Sequence, residues 1–229
     1  MTERTSQDGA LLRDLAFSYR LYSPADSTGE CLFLLHGSGV DETTLVPLAR
    51  EIAPRAVLIA VRGRIVQEDG FRWFARITPT RFEQASIRTE TEAFAGFVTD
   101  AATRHRLDLS RTTFLGYSNG ANLVSSLTLL HPGLVERAAL LRPMPVLDDV
   151  PATDLSKVRA LIVAGAADLT YAPFAPALVT LLSQHGAEID ARIVASGHEF
   201  GNADAAIVRQ WLVGSATVAQ ADQRHRNPS

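Results

Sequence analysis

A serine held between two glycines is the first feature of this chain able to do covalent chemistry. Residues 116–120 read Gly-Tyr-Ser-Asn-Gly, after Thr-Thr-Phe-Leu and before Ala-Asn-Leu-Val-Ser-Ser-Leu. The upstream run is β-branched and apolar, and the downstream run has helical spacing. G-x-S-x-G therefore falls at a strand-to-helix junction, the setting in which that pattern carries a nucleophile. Such a turn crowds the backbone. Side chains two residues either side of Ser118 would collide, which suits Gly116 and Gly120. The hydroxyl then stands at a helix N-terminus, whose free N–H groups favour a developing oxyanion. The simpler competing reading makes Ser118 an N-cap.

A serine hydroxyl attacks poorly unless a neighbouring base takes its proton. Six histidines compete, at 36, 105, 131, 185, 198 and 225. His105, His131 and His185 end helical segments, where a cation is favourable, and His225 lies near the C-terminus. His198 differs: it follows the last strand in Ala-Arg-Ile-Val-Ala-Ser-Gly-His, on a glycine-containing loop. The base needs an orienting acid. Asp168 lies just beyond the apolar run 159–165, 50 residues after Ser118 and 30 before His198. Ser…Asp…His is the expected chain order. Asp148 and Asp149 are rival acids after an earlier strand.

Acyl chemistry also needs two donors for the tetrahedral O⁻. The amide of Asn119, just after the nucleophile, is one candidate. The loop His36-Gly37-Ser38-Gly39 after the run 31–35 supplies the other, with the Ser38 amide preferred and Gly39 next. His36 reads as structural, its ring hydrogen-bonding backbone to shape the loop.

These groups need a frame. Strand-sized apolar runs fall at 16–22, 31–35, 56–61, 112–116, 137–141, 159–165 and 191–195. Helical segments fall at 43–52, 86–107, 119–131, 174–185 and 200–213. The alternation predicts α/β architecture: a three-layer sandwich with a mostly parallel central sheet, helices on both faces and no large cap domain. The expected organisation is one domain over 1–214 and a loose tail over 215–229. The stretch 62–85, rich in arginine and aromatics, has no confident element and reads as a functional loop. Phe71, Trp73, Phe74 and Met144 are candidate pocket walls, although the aromatics would serve equally as core anchors. Arg62, Arg64, Arg72 and Arg76 are candidates for holding a substrate carboxylate or are simply solvated.

Bulk properties narrow the classes. The chain has 229 residues, 46% of them apolar, with 22 Lys+Arg against 25 Asp+Glu. That balance gives no electrostatic footprint for nucleic acid. A single cysteine, Cys31, rules out a disulfide framework within the chain and fits a reducing, cytoplasmic setting. No run is long enough to span a membrane, and the polar N-terminus does not read as a signal peptide. No metal-ligand set or dinucleotide glycine fingerprint stands out, so neither metal nor cofactor is expected. A homodimer is a common assembly, though no segment names an interface.

The segments CLFLLHGSG, FLGYSNGAN, LIVAGAADLT and ASGH resemble the α/β-hydrolase superfamily over roughly residues 16–213. They are similar to its small carboxylesterase/phospholipase branch, which includes acyl-protein thioesterases and bacterial esterases. The elbow and the RGR…EDGFRWF segment also resemble a bacterial subgroup linked with quinone resistance and dioxygenase genes. The resemblance implies a serine carboxylesterase acting on a small-molecule ester through an acyl-enzyme. It implies the same Ser118, Asp168 and His198, with the Ser38 and Asn119 amides as oxyanion hole. A thioesterase or lysophospholipase is the alternative within enzymes, and a non-catalytic small-molecule binder on this fold the alternative outside them. One departure bears on specificity: the thioesterases carry a bulky apolar residue where this chain has Ser38.

Overall fold

The computed structural model describes the backbone over residues 9–67 and 70–226, with side chains except at 67 and 215–226. The elements run β1 (Leu11–Leu12), β2 (Tyr19–Tyr22), β3 (Cys31–Leu35), α1 (Val46–Ile52) and β4 (Val57–Val61). Two small antiparallel pairs follow, β5 (Ile65–Gln67) with β6 (Gly70–Arg72), and β7 (Arg76–Thr78) with β8 (Arg81–Phe82). Then come α2 (Gln84–His105), β9 (Thr112–Tyr117), α3 (Asn119–Leu130), β10 (Arg137–Leu141), β11 (Arg159–Gly165), α4 (Ala175–Gln184), β12 (Glu188–Val194) and α5 (Asn202–Arg226).

Among the described residues, eight strands form one sheet in the order β1-β2-β4-β3-β9-β10-β11-β12. The β1–β2 and β2–β4 pairs are antiparallel and the rest parallel. The central strands read as unbroken apolar runs because helices cover both faces; all five residues of β3 are buried. Edge strand β12 is different. It alternates charged Glu188, Asp190 and Arg192 with other residues, and most of it is accessible, as expected of an edge kept from pairing further.

Two cores result. One packs Phe17, Phe33, Phe94, Phe97, Phe114 and the inner faces of α2, α3 and α4. Phe97 meets Phe17, Tyr19, Phe33 and Phe94 at ring-centroid distances of 5.4–6.3 Å, and burying each such ring contributes about 2–3 kcal/mol. The other core sits under α1 and α5. Residues 142–158, between β10 and β11, form neither helix nor strand, in keeping with the expectation of no large cap there. Segment 62–85, expected to be a loop, holds the two hairpin pairs; its short, charged strands lack the apolar signal of the main sheet. Helix α5 carries the backbone to Arg226, past the expected 213. The loose tail expected over 215–229 falls on residues whose side chains lie outside those described.

The parallel register decides where side chains converge. Leu35 pairs with Gly116, Tyr117 with Leu141, Leu141 with Val163 and Gly165 with Val194. β3, β9, β10, β11 and β12 thus end along one edge, and the residues just beyond them become neighbours.

Candidate active site

Ser118 follows β9 and begins α3 with φ 51° and ψ −116°, a left-handed backbone uncommon for a side chain this size. Its own amide is held by the Leu141 carbonyl at 2.8 Å, and its side chain caps nothing. That removes the N-cap explanation. The two glycines are steric requirements. A Cβ on Gly116 would lie 2.6 Å from Ala121 Cα, and one on Gly120 would lie 2.1 Å from the Leu35 carbonyl oxygen.

His198 Nε2 lies 2.9 Å from Ser118 Oγ, and His198 Nδ1 lies 2.7 Å from Asp168 Oδ2. A carboxylate only accepts, so Nδ1 carries the proton and Nε2 is left to accept from the serine hydroxyl. The other oxygen of Asp168 accepts the Tyr171 amide at 3.0 Å. Asp168 is buried and His198 half-buried between the rings of Tyr117 and Tyr171. The structure therefore brings together the three side chains the sequence singled out. Of the rival acids, Asp148 and Asp149 are both exposed, and Asp149 faces Arg88 instead.

The Ser38 side of the loop lines the same cavity as Ser118 and Asn119. The Gly39 amide, the second choice for an oxyanion donor, donates to the Phe71 carbonyl at 3.1 Å and is occupied. The amides of Ser38 and Asn119 have no acceptor among the described residues. The loop is braced from beneath. His36 Nε2 accepts the Gly63 amide at 2.9 Å, so its Nδ1 is the protonated nitrogen, donating to the Gly37 carbonyl at 2.6 Å. Burial lowers the His36 pKa to about 4, which keeps the ring neutral and its role structural, as expected.

The pocket expectations are corrected in part. Trp73 and Phe74 are wholly buried in the core. Trp73 instead fixes the loops around Ser118: its indole N–H donates to the His36 carbonyl and its amide to Asn119 Oδ1, both at 2.8 Å. Phe71 lies under the Arg62 guanidinium, and neither it nor Gly39 lines the cavity. Met144 does, with Phe82, Pro79, Tyr171 and Arg72. The cavity measures about 240 Å³, small beside the usual ~300–1,000 Å³ of drug-sized sites. A hollow of about 400 Å³ at the amino ends of β3, β9 and β10 holds Cys31, whose thiol burial pushes up to about 12, far from a reactive thiolate.

Sequence reading missed Arg142. It follows β10 with φ 55°, and its buried guanidinium donates to the Gly197 and Glu199 carbonyls and to Ser196 Oγ, all at 3.0 Å. It thereby grips the loop that carries His198. An isolated arginine after a strand carries no local signal of that role. Gly165 leaves room for the same loop, since a Cβ there would lie 2.1 Å from the Gly197 carbonyl oxygen.

A mostly parallel sheet that delivers these three side chains to its carboxyl edge in the order Ser…Asp…His is the α/β-hydrolase fold. Comparison with known proteins narrows the class. The chain is similar to a crystallised carboxylesterase from Mesorhizobium loti at 72% identity and TM-score 0.89, over 90% of this chain and 99% of that one. It is also similar to the Bacillus cereus carboxylesterase, at 25% identity and TM-score 0.82 over 86% and 94%. Among curated relatives, MhqD of Bacillus subtilis (strain 168), which carries a provisional hydrolase name, is 30% identical over 181 residues, 79% of this chain and 90% of its own. A scan against models of protein families finds no match. The chain belongs to the carboxylesterases of the α/β-hydrolase fold, and it is a hydrolase with esterase activity.

Proposed function

We propose that this carboxylesterase works through a Ser118 acyl-enzyme on small esters. Ser118 Oγ attacks the ester carbonyl carbon while its proton passes to His198 Nε2. Asp168 holds the imidazole in the Nδ1–H tautomer and stabilises the imidazolium that forms. The Ser38 and Asn119 amides receive the oxyanion. The intermediate collapses, the C–O bond to the alcohol breaks, and the leaving oxygen takes the proton from His198. Water then repeats the sequence: His198 takes its proton, the hydroxide attacks the acyl carbon, and the released Ser118 oxygen recovers the proton as the acid departs.

The observation that carries this reading is the unbroken line of contacts from Ser118 Oγ through His198 to Asp168, 2.9 and 2.7 Å, on a serine with a left-handed backbone. The cavity of about 240 Å³ suits short acyl groups better than the chain of a lysophospholipid. One α/β domain carries the whole apparatus, and a free, buried thiol is in keeping with a reducing cytoplasm. The test is direct. Ser118→Ala should fold like the parent, fail to react with a fluorophosphonate, and lose nearly all turnover of short esters. Turnover at the parental rate would remove Ser118 as nucleophile.

A further inference from the structure

Arg72 ends β6 and lines the cavity that holds Ser118 and His198. It is 2% exposed, yet its Nε and Nη1 have no acceptor among the described residues. Its neighbours on the same segment differ. Arg62 is matched by Glu42, at 2.6 and 3.1 Å, and Arg64 by Glu90, at 2.9 and 3.0 Å. Arg142, across the cavity, is matched by Asp204.

A buried cation without a counter-charge is expensive and persists where something else supplies the anion. Burial pulls the Arg72 pKa down, and among the described residues the Tyr171 phenol acts against it. Arginine nonetheless stays charged at neutral pH. Its planar fork matches a carboxylate with two parallel N–H···O bonds. In a cavity of about 240 Å³ lined by both residues, one compact molecule can present an anion to Arg72 and a carbonyl to Ser118.

We infer that Arg72 is a carboxylate receptor and that the substrate is a small ester carrying a free carboxylate. This rests on the Ser118 acyl-enzyme reading and deepens it. The carboxylate sits on either the acyl or the alcohol half, and the two halves are separable by experiment.

The experiment compares kcat/KM within two isosteric pairs. Monomethyl succinate against methyl 4-methylpentanoate places the charge on the acyl side. Carboxymethyl butyrate against isobutyl butyrate places it on the alcohol side. The parent should favour the charged member of at least one pair by tenfold or more, and that pair names the half. In Arg72→Met the charged-to-neutral ratio should fall at least tenfold, with Arg72→Lys recovering part of it. A parent with no charge preference in either pair, or an Arg72→Met variant that lowers both members equally, overturns the inference. Should Arg72→Met not fold, the parent alone decides: succinate should inhibit turnover of isobutyl butyrate at concentrations where succinamide does not, and equal inhibition by the two overturns it. Fluorophosphonate labelling of the parent separates the two levels. Labelling without charge preference ends the Arg72 assignment alone, whereas absent labelling and absent turnover of all four esters end the acyl-enzyme reading beneath it.

Discussion

Arg142 and Asp204 meet in a two-pronged ion pair, 2.7 and 3.1 Å long, with both side chains inaccessible to solvent. Asp204 lies in the first turn of α5 and also accepts the Gly201 amide at 2.9 Å. The pair fastens the end of β10 to the start of α5, and between them runs the loop bearing His198. Its free donors go to that loop, at Ser196, Gly197 and Glu199. The pair is therefore a positioning device for His198.

Arg142→Met should destabilise the fold by about 3–5 kcal/mol, because it strands a buried carboxylate. The double variant Arg142→Met/Asp204→Leu should recover much of that stability, since an apolar pair of similar volume is tolerated. It should not recover kcat, because the 196–199 loop still lacks its donors. Urea unfolding and steady-state kinetics on both variants check this. Recovery of kcat in step with stability would show that the pair serves folding alone.

Replacing Asp168 by Asn should leave the fold intact and lower kcat by about 10⁴-fold, the size of effect expected when the imidazole loses its tautomer control. Asp148→Asn and Asp149→Asn, both at exposed positions, should stay near parental turnover. A comparable loss in either of them would reassign the acid.

Gly120→Ala adds one methyl group where the Leu35 and His36 carbonyl oxygens stand 2.1 and 2.6 Å from the new Cβ. Backbone must move, and it is the backbone that leads into the Ser38 loop. A loss of about 2–4 kcal/mol is expected, together with a fall in kcat in the protein that remains folded. Chemical denaturation of the variant measures the first. Parental stability would mean the turn is looser than these distances allow.

Acid should destabilise the protein through His36. The unfolded chain takes up a proton as pH falls through 6.5, while burial delays the same event in the fold to about 4. The unfolded state thus binds more protons across this window. Stability is full above 6.5 and is lost progressively toward 4, by about 3 kcal/mol from this residue. His36→Gln should be less stable at pH 7 yet show a flatter decline between those values. Unfolding free energies measured along the window decide it, and parallel declines for the two proteins would sink the assignment.

The Ser118, Asp168 and His198 positions were readable from the sequence because Ser118 and Asp168 follow buried apolar strands and His198 follows the apolar end, Ile193–Val194, of the charged edge strand β12, and parallel strands in this order end together. The strain at Ser118 was readable through Gly116 and Gly120. Trp73 and Phe74 were not. An aromatic ring fits a core and a pocket wall equally well in one dimension, and only packing against Phe17, Phe94 and Phe82 separates the two. The strands β5 to β8 escaped notice because short charged strands carry almost no periodicity.

The chain order of residue types was enough to declare a sheet, an elbow and three side chains that meet beyond the strand ends, since those depend on local backbone preference and the two-sided burial of strands. Which arginine is paired and which is left alone depended on contacts between segments far apart in sequence: Arg142 with residues 54 to 62 positions away, Arg62 and Arg64 with acids 20 and 26 away. Charge pairing is decided by distance through space, which linear order does not encode. Arg72, whose Nε and Nη1 have no acceptor among the described residues, stood out beside Ser118 only once the chain had closed around it.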